Sequence, residues 1–223
     1  MKITREELLR RSTRNMQGVE NRIAEWGQRI ISQVYDEGIF AQVTGGYRSH
    51  EQQAYLYGQG RPGYQFNGTK YGRRGKVVTN AKPGQSIHNY GFAIDFCLVT
   101  DNGQQAVWKV NEDWRRVASV AKGLGFTWGG NWNSFQDYPH LEWTHGMSWE
   151  ELKTGKSPFD YPGFLLRRGS RGKRVKQVQV AVQIRTDGIF GPKTEEVIRH
   201  FQRKHCLQVD GIVGPETWVN FYR

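Results

Sequence analysis

The sequence predicts an α+β protein in which a small antiparallel sheet flanked by helices precedes a small all-α domain of three helices. Near the N-terminus, apolar residues recur at spacings of three and four, as expected for a helix buried on one face. In the middle of the chain, short apolar runs are separated by turn residues, which favours strands. Near the C-terminus, an eight-residue motif recurs and precedes helical patterns.

The first third of the chain is predicted to alternate between helix and strand. Residues 4–37 have a helical pattern that begins with a possible capping box of Thr4 and Glu7. A strand and a helix follow, at residues 39–44 and 51–57. Residues 59–76 form a long, basic, Gly-rich loop. A loop of this length is either a functional flap beside a groove or a disordered insertion, and both interpretations are open.

The middle of the chain contains the predicted sheet. Residues 93–99 and 106–110 are expected to pair as antiparallel strands around the turn at Asp101, Asn102 and Gly103. A helix and a short strand are predicted after them, at residues 113–124 and 140–143.

The C-terminal part carries an internal repeat. The motif that begins at Asp187 returns 23 residues later at Asp210, and in both copies an Asp-Gly turn precedes Gly-Pro. The three predicted helices lie at residues 175–184, 194–205 and 217–222. The predicted domains are residues 1–150 and 164–223, with a linker at 151–163.

A carboxylate lies inside an apolar run that the pattern predicts to be a buried strand. This residue, Asp95, would be costly to bury unless it is paired or bound to a metal ion. His88 lies seven residues before it and His140 lies 45 residues after it. His and Asp side chains suit zinc, whose catalytic sites have three protein ligands and one open position. The alternative is that Asp95 pairs with an arginine and that His88 is an ordinary loop histidine.

A candidate general base lies close to His140 in the sequence. Asp137 precedes His140 by three residues and could accept a proton from a metal-bound water. Glu142 is a rival base, because on a strand its side chain points to the same side as that of His140. Cys97 could also approach a metal, but it is interpreted as a small buried hydrophobic residue.

These residues belong to motifs that resemble a known superfamily. The pattern resembles the zinc-dependent peptidoglycan peptidases of the D-alanyl-D-alanine peptidase and L-alanyl-D-glutamate endopeptidase superfamily. It reads Ser86-x-His88-x2-Gly91-x-Ala93-x-Asp95 and then Asp137-x2-His140. Four further segments are similar to the phage endolysin branch, at residues 46–52, 56–61, 78–82 and 128–132. The C-terminal repeat resembles the peptidoglycan-binding domain 1 family.

The resemblance implies a role for each candidate site residue. The implied Zn²⁺ ligands are His88, Asp95 and His140. Asp137 is the implied base, although many relatives have Glu there, and Arg48 would stabilise developing negative charge. Ser86 would support the metal site or the substrate.

The implied function is that of a phage endolysin that degrades the bacterial cell wall by hydrolysing the L-Ala–D-Glu bond of the peptidoglycan stem peptide. A D-Ala-D-Ala carboxypeptidase or dipeptidase and a non-enzymatic wall-binding protein are the alternatives. The expected partner is bacterial peptidoglycan, and the chain is expected to be a monomer.

Charge and composition restrict the remaining partner classes. The net charge of +11 favours polyanionic partners, and the 12 Lys/Arg and 5 Asp/Glu of residues 164–223 place +7 of it in the predicted C-terminal domain. Without a nucleic-acid-binding motif, no nucleic-acid partner is expected. No run of about 18 apolar residues predicts a membrane span. Without an apolar signal-peptide core, the protein is expected in the host cytoplasm until its release to the cell wall.

Overall fold

The computed structural model describes residues 2–222 of the chain. In this part of the chain there are eight α-helices: Arg5–Asn15 (α1), Asn21–Asp36 (α2), His50–Gly58 (α3), Glu112–Gly123 (α4), Trp149–Lys153 (α5), Lys173–Ala181 (α6), Pro192–Lys204 (α7) and Pro215–Asn220 (α8). The strands are Ala41–Gly45 (β1), Gln65–Phe66 (β2), Thr69–Lys70 (β3), Ala93–Val99 (β4), Ala106–Val107 (β5), Thr127–Trp128 (β6) and His140–Glu142 (β7). The α+β class with a three-helix C-terminal part is thereby confirmed.

The main sheet has five antiparallel strands in the order β1-β4-β7-β6, and β5 pairs with one end of β4. The apolar strand β4 is central, as its nearly continuous burial requires. Its register sets Asp95 opposite His140 and Ala93 opposite Glu142. Directly opposed residues project to the same face of a sheet, so this register brings Asp95 and His140 together.

The N-terminal helical segment is broken, contrary to the prediction of continuous helix over residues 4–37. Helix α1 ends at Asn15 and α2 begins at Asn21. Between them Gly18 has a φ of 78°, and a Cβ at this position would lie 3.0 Å from the Tyr47 ring. Only glycine combines the left-handed conformation with that close approach. Thr4 caps α1 by accepting a hydrogen bond from the Glu7 amide.

The Gly-rich loop contains structure of its own. Strands β2 and β3 form a two-stranded hairpin inside it. Arg61 lies 3.9 Å from the Tyr57 ring centroid and donates to the Asn80 side chain at 3.3 Å. These contacts anchor the loop to the segment that follows it.

The repeat at the C-terminus is a structural unit built around a buried glutamine. Gln179 donates to Asp187 at 2.8 Å and accepts from the Gly188 amide at 2.8 Å. Gln202 makes the same contacts with Asp210 and Gly211, at 2.8 Å and 2.9 Å. Each Asp-Gly turn is therefore held against the helix that precedes it.

The segment predicted as a linker packs against both parts of the chain. The Phe159 ring stacks on Trp143 with centroids 4.5 Å apart, and the Arg22 guanidinium lies 3.9 Å from its centroid. The Phe159 carbonyl accepts from the Trp218 indole at 2.8 Å. The domain boundaries themselves stay a prediction, and their outer limits, Met1 and Arg223, lie outside the described residues. None of the helices within residues 2–222 has the length and apolar character needed to cross a membrane.

Candidate metal centre and active site

Three side chains from different elements converge on one point beside the sheet. His88 lies on a short 3-10 turn, Asp95 on β4 and His140 on β7. The Nε2 atom of His88 is 3.1 Å from Nδ1 of His140 and 3.3 Å from Oδ1 of Asp95. Nδ1 of His140 is 3.6 Å from the same carboxylate oxygen. One donor atom from each residue thus faces a common centre, an arrangement that could hold a metal ion.

Hydrogen bonds orient both imidazole rings toward that centre. Nδ1 of His88 is 2.7 Å from the Gly46 carbonyl oxygen, which can only accept, so Nδ1 carries the proton and the lone pair of Nε2 faces the centre. Nε2 of His140 is 3.1 Å from Oε2 of Glu142, which leaves Nδ1 free to ligate. A carboxylate behind a ligating histidine fixes its tautomer and ring orientation. Glu142 therefore supports His140.

The charge balance of the site favours a cation. Burial raises the pKa of the Asp95 carboxyl, but His88 and His140 hold that pKa well below its usual range. Burial lowers the pKa of His140, but hydrogen bonds to Asp95 and Glu142 raise it to about 9. The two carboxylates thus stabilise positive charge at this point, and a divalent ion would supply it. Arg48 also pairs with Asp95, with Nη2 and Oδ2 3.2 Å apart, so the predicted alternative of an Asp95–Arg pair coexists with the cluster.

Asp137 lies next to the cluster and shares its cavity. Burial raises the pKa of Asp137, and the neighbouring Asp95 carboxylate adds to that effect, while His140 opposes it. A raised pKa suits a group that must accept a proton. Gly129 permits this placement: its carbonyl accepts from the Asp137 amide at 3.1 Å, and a Cβ at 129 would lie 2.4 Å from the Asp137 carbonyl oxygen.

The cluster opens into a cavity of about 790 Å³. All seven site residues of the sequence prediction line it, namely Arg48, Ser86, His88, Asp95, Asp137, His140 and Glu142. Of the two tryptophans in the segment 128–132, Trp132 also lines the cavity, whereas Trp128 is 4% exposed and belongs to the core. In the described residues, the lining includes 78–81 and no residue of the Gly-rich loop 59–76, so the flap interpretation stays a prediction.

Several supporting groups escaped the sequence analysis. The Gly46 carbonyl orients His88, yet a backbone oxygen leaves no signal in a sequence. Asn89 accepts from the Gly84 amide at 3.0 Å and donates to the Arg48 carbonyl at 2.7 Å, which joins two segments of the site. The only indication of this role in the sequence was that Asn89 directly follows His88. Cys97 is fully buried, consistent with its predicted role.

Comparison with known protein families identifies both parts of the chain. Residues 79–143 match the D-alanyl-D-alanine carboxypeptidase family, and residues 171–219 match a peptidoglycan binding domain family. Each of these matches covers less than half of the chain. The matched peptidase segment contains the three converging side chains together with Asp137 and Glu142. Arg48 lies outside that segment.

Three curated relatives of this chain are named for peptidase activities. The peptidoglycan L-alanyl-D-glutamate endopeptidase CwlK of Bacillus subtilis (strain 168) is 42% identical over 115 residues, which cover 48% of this chain and 62% of the relative. The zinc D-Ala-D-Ala carboxypeptidase of Streptomyces albus G is 38% identical over 66 residues, 26% of each chain. The L-alanyl-D-glutamate peptidase of Listeria phage A118 is 35% identical over 63 residues, covering 27% of this chain and 22% of the relative. The chain thus spans less than two thirds of the length of each.

Proposed function

We propose that this protein is a zinc-dependent peptidase that hydrolyses the L-Ala–D-Glu bond of the peptidoglycan stem peptide. The observation that carries the proposal is the convergence of His88, Asp95 and His140 in one cavity with Asp137. Two of the three relatives described above are named for action on this bond, and the third is named for D-Ala-D-Ala.

The donor set fits zinc. Two imidazole nitrogens and one carboxylate oxygen are ligand types found in catalytic zinc sites, where the fourth position is left for water or substrate. When bound, zinc would lower the pKa of a water molecule and polarise the scissile carbonyl. The Gly46 carbonyl and the Glu142 carboxylate hold the outer nitrogens of the two histidines.

The protein's own residues provide proton transfer and charge stabilisation. Asp137 accepts a proton from the water that attacks the amide carbonyl, and it passes that proton to the leaving amine nitrogen as the C–N bond breaks. Arg48 lines the same cavity and donates to Gln53 and Asp95. A guanidinium has five N–H donors, so others remain for the carbonyl oxygen as it gains negative charge.

The decisive experiment is a digest of defined muropeptides, analysed by mass spectrometry with and without a chelator. We expect cleavage between L-Ala and D-Glu, loss of cleavage on chelation, and recovery when zinc is returned. His88→Ala should abolish cleavage because it removes a ligand. Cleavage that survives complete metal removal, or full activity of His88→Ala, would contradict the proposal.

A second candidate is D-Ala-D-Ala carboxypeptidase activity, which the family description and the Streptomyces albus relative favour. Release of free D-Ala from a pentapeptide, with the L-Ala–D-Glu bond intact, would establish it in the same digest. A purely wall-binding protein would fold normally, contain no zinc after purification in zinc-supplemented medium, and cleave neither bond.

The remaining proposals concern location and partners. The peptidoglycan-binding domain supports peptidoglycan as the ligand of residues 171–219. We propose a monomer that does not bind nucleic acid and is released from the host cytoplasm to the cell wall as a phage endolysin. The relatives include one phage protein and two bacterial ones, so phage origin stays a prediction. Expression in a bacterial cytoplasm tests the lysis role: lysis should begin only when the inner membrane is permeabilised.

A further inference from the structure

A buried amide connects Arg48 to the opposite wall of the cavity. Gln53 lies on α3 and is 0% exposed. Its Oε1 atom accepts from Nη1 of Arg48 at 2.9 Å, and its Nε2 atom donates to the Ala81 carbonyl at 2.7 Å. Only this orientation of the amide satisfies both neighbours, because a guanidinium can only donate and a carbonyl can only accept.

The first of these bonds fixes the Arg48 side chain. The backbone of Arg48 is already held, since its amide donates to the His88 carbonyl at 3.1 Å and its carbonyl accepts from Asn89 at 2.7 Å. The guanidinium is then held at two points, by Gln53 through Nη1 and by Asp95 through Nη2. A guanidinium that is hydrogen-bonded to both Gln53 and Asp95 has one orientation in the cavity. A guanidinium that is bonded to Asp95 alone could rotate about that contact.

The second bond fixes the wall that faces the cluster. Thr79, Asn80 and Ala81 line the cavity, and the segment has little regular secondary structure to hold it. The Ala81 amide donates to the Thr79 hydroxyl at 3.2 Å, which leaves the Ala81 carbonyl for Gln53. Asn80 in turn accepts from Arg61, so the Gly-rich loop is joined to the same wall.

We propose that Gln53 is a positioning residue that sets the Arg48 guanidinium and the 79–81 wall in a fixed relation to the metal centre. This inference rests on the proposed peptidase function. Gln53 does not line the cavity, so it acts through Arg48 and Ala81 and not by touching the substrate.

Steady-state kinetics on a soluble muropeptide test the Arg48 contact. Gln53→Met keeps the volume but removes both hydrogen bonds, and we expect kcat/KM to fall about 10- to 100-fold, mainly through kcat. Gln53→Glu keeps an acceptor for Arg48, so kcat should return to within about fivefold of wild type. Gln52→Met is the matched control: Gln52 is an exposed neighbour that caps α3 through the Ser49 amide, and its loss should change kcat less than about twofold.

A double-mutant cycle separates positioning from a general structural effect. In an Arg48→Ala background, Gln53→Met should lower kcat less than about twofold further, because the guanidinium that Gln53 positions is already gone and only its bond to the Ala81 carbonyl is lost. Equal losses in both backgrounds would overturn the proposal, as would Gln53→Met activity within twofold of wild type. Gln53→Glu serves as the second variant if Gln53→Met lowers the melting temperature below the assay temperature.

Hydrogen exchange provides a readout that does not depend on catalysis. Amide exchange in residues 79–82 should accelerate in Gln53→Met and stay unchanged in Gln52→Met, because only the former frees the Ala81 carbonyl. Unchanged exchange in Gln53→Met would remove the wall contact from the proposal. If wild-type protein cleaved no muropeptide, the proposed function would fail while this measurement still decided whether Gln53 holds the wall.

Discussion

The two carboxylates next to His140 should have separable roles, and replacing each in turn tests the assignment. Both carboxylates line the cavity, and Glu142 contacts the outer nitrogen of His140, with Oε2 3.1 Å from Nε2. A hydrogen bond to a charged group contributes about 1.5–3 kcal/mol, so its loss in Glu142→Ala should weaken zinc binding roughly 10- to 150-fold. That range agrees with the roughly 10- to 100-fold effect typical of residues behind metal ligands.

Asp137→Asn should behave in the opposite way. It removes the proton acceptor while keeping the side-chain shape, so we expect kcat/KM to fall by about 10²- to 10⁴-fold. Zinc affinity should change only a few-fold. Within residues 2–222 the Asp137 side chain makes no hydrogen bond to His88, Asp95 or His140, and the backbone bond from the His140 amide to the Asp137 carbonyl is kept in Asp137→Asn.

Two measurements on the same preparations distinguish these outcomes. Competition with a chelating dye gives the zinc affinity, and muropeptide turnover at saturating zinc gives the catalytic loss. Saturating zinc should restore most of the activity of Glu142→Ala and none of that of Asp137→Asn. Glu142→Gln is the control, since it keeps an acceptor oxygen for Nε2 of His140. If Glu142→Ala binds zinc normally yet stays inactive, and Asp137→Asn stays active, then Glu142 is the base.

Three further predictions concern stability and substrate contact. Burial, aided by Arg174, lowers the pKa of His145 to about 3, so the folded protein keeps this ring neutral while the unfolded chain takes up a proton below about pH 6.5. Between pH 7.5 and pH 5, the unfolding free energy of the wild type should therefore fall by about 2 kcal/mol more than that of His145→Asn, as measured by urea unfolding. An equal fall in the two proteins would refute this prediction. Asn is chosen because it tolerates the φ of 48° at this position. Phe159→Ala should cost roughly 3 kcal/mol of unfolding free energy by calorimetry, since it removes the ring stacked on Trp143, whereas loss below about 1 kcal/mol would show that the segment contributes little. Trp108 is 58% exposed and lines the cavity, so Trp108→Ala should raise KM several-fold with kcat nearly unchanged, and Phe164→Ala, equally exposed but outside the cavity, should change neither.

Spacing and residue type were sufficient to predict that His88, Asp95 and His140 lie close together. Asp95 in an apolar strand required a partner, and its register opposite His140 follows from antiparallel pairing of β4 with β7. The α+β class and the C-terminal helices could also be predicted, because the sequence shows helical periodicity and an internal repeat. The break in the helix at Gly18 could not be predicted from the sequence. Glycine is required there because Tyr47, which is distant in the sequence, lies close to it.

The roles of the two candidate bases lay beyond the sequence for a specific reason. Strand alternation correctly placed Glu142 on the same side as His140, but it did not say which imidazole nitrogen Glu142 would face. Rotating the ring by half a turn about χ2 moves each nitrogen to the place of a ring carbon without moving the backbone, so the sequence spacing is identical for both states. The cavity selects one state: Nδ1 must face Asp95 and His88, so Nε2 is left for Glu142. A carboxylate that is hydrogen-bonded to the outer nitrogen is poorly placed to take a proton from water on the inner side, and this supports the proposal that Asp137 is the acceptor.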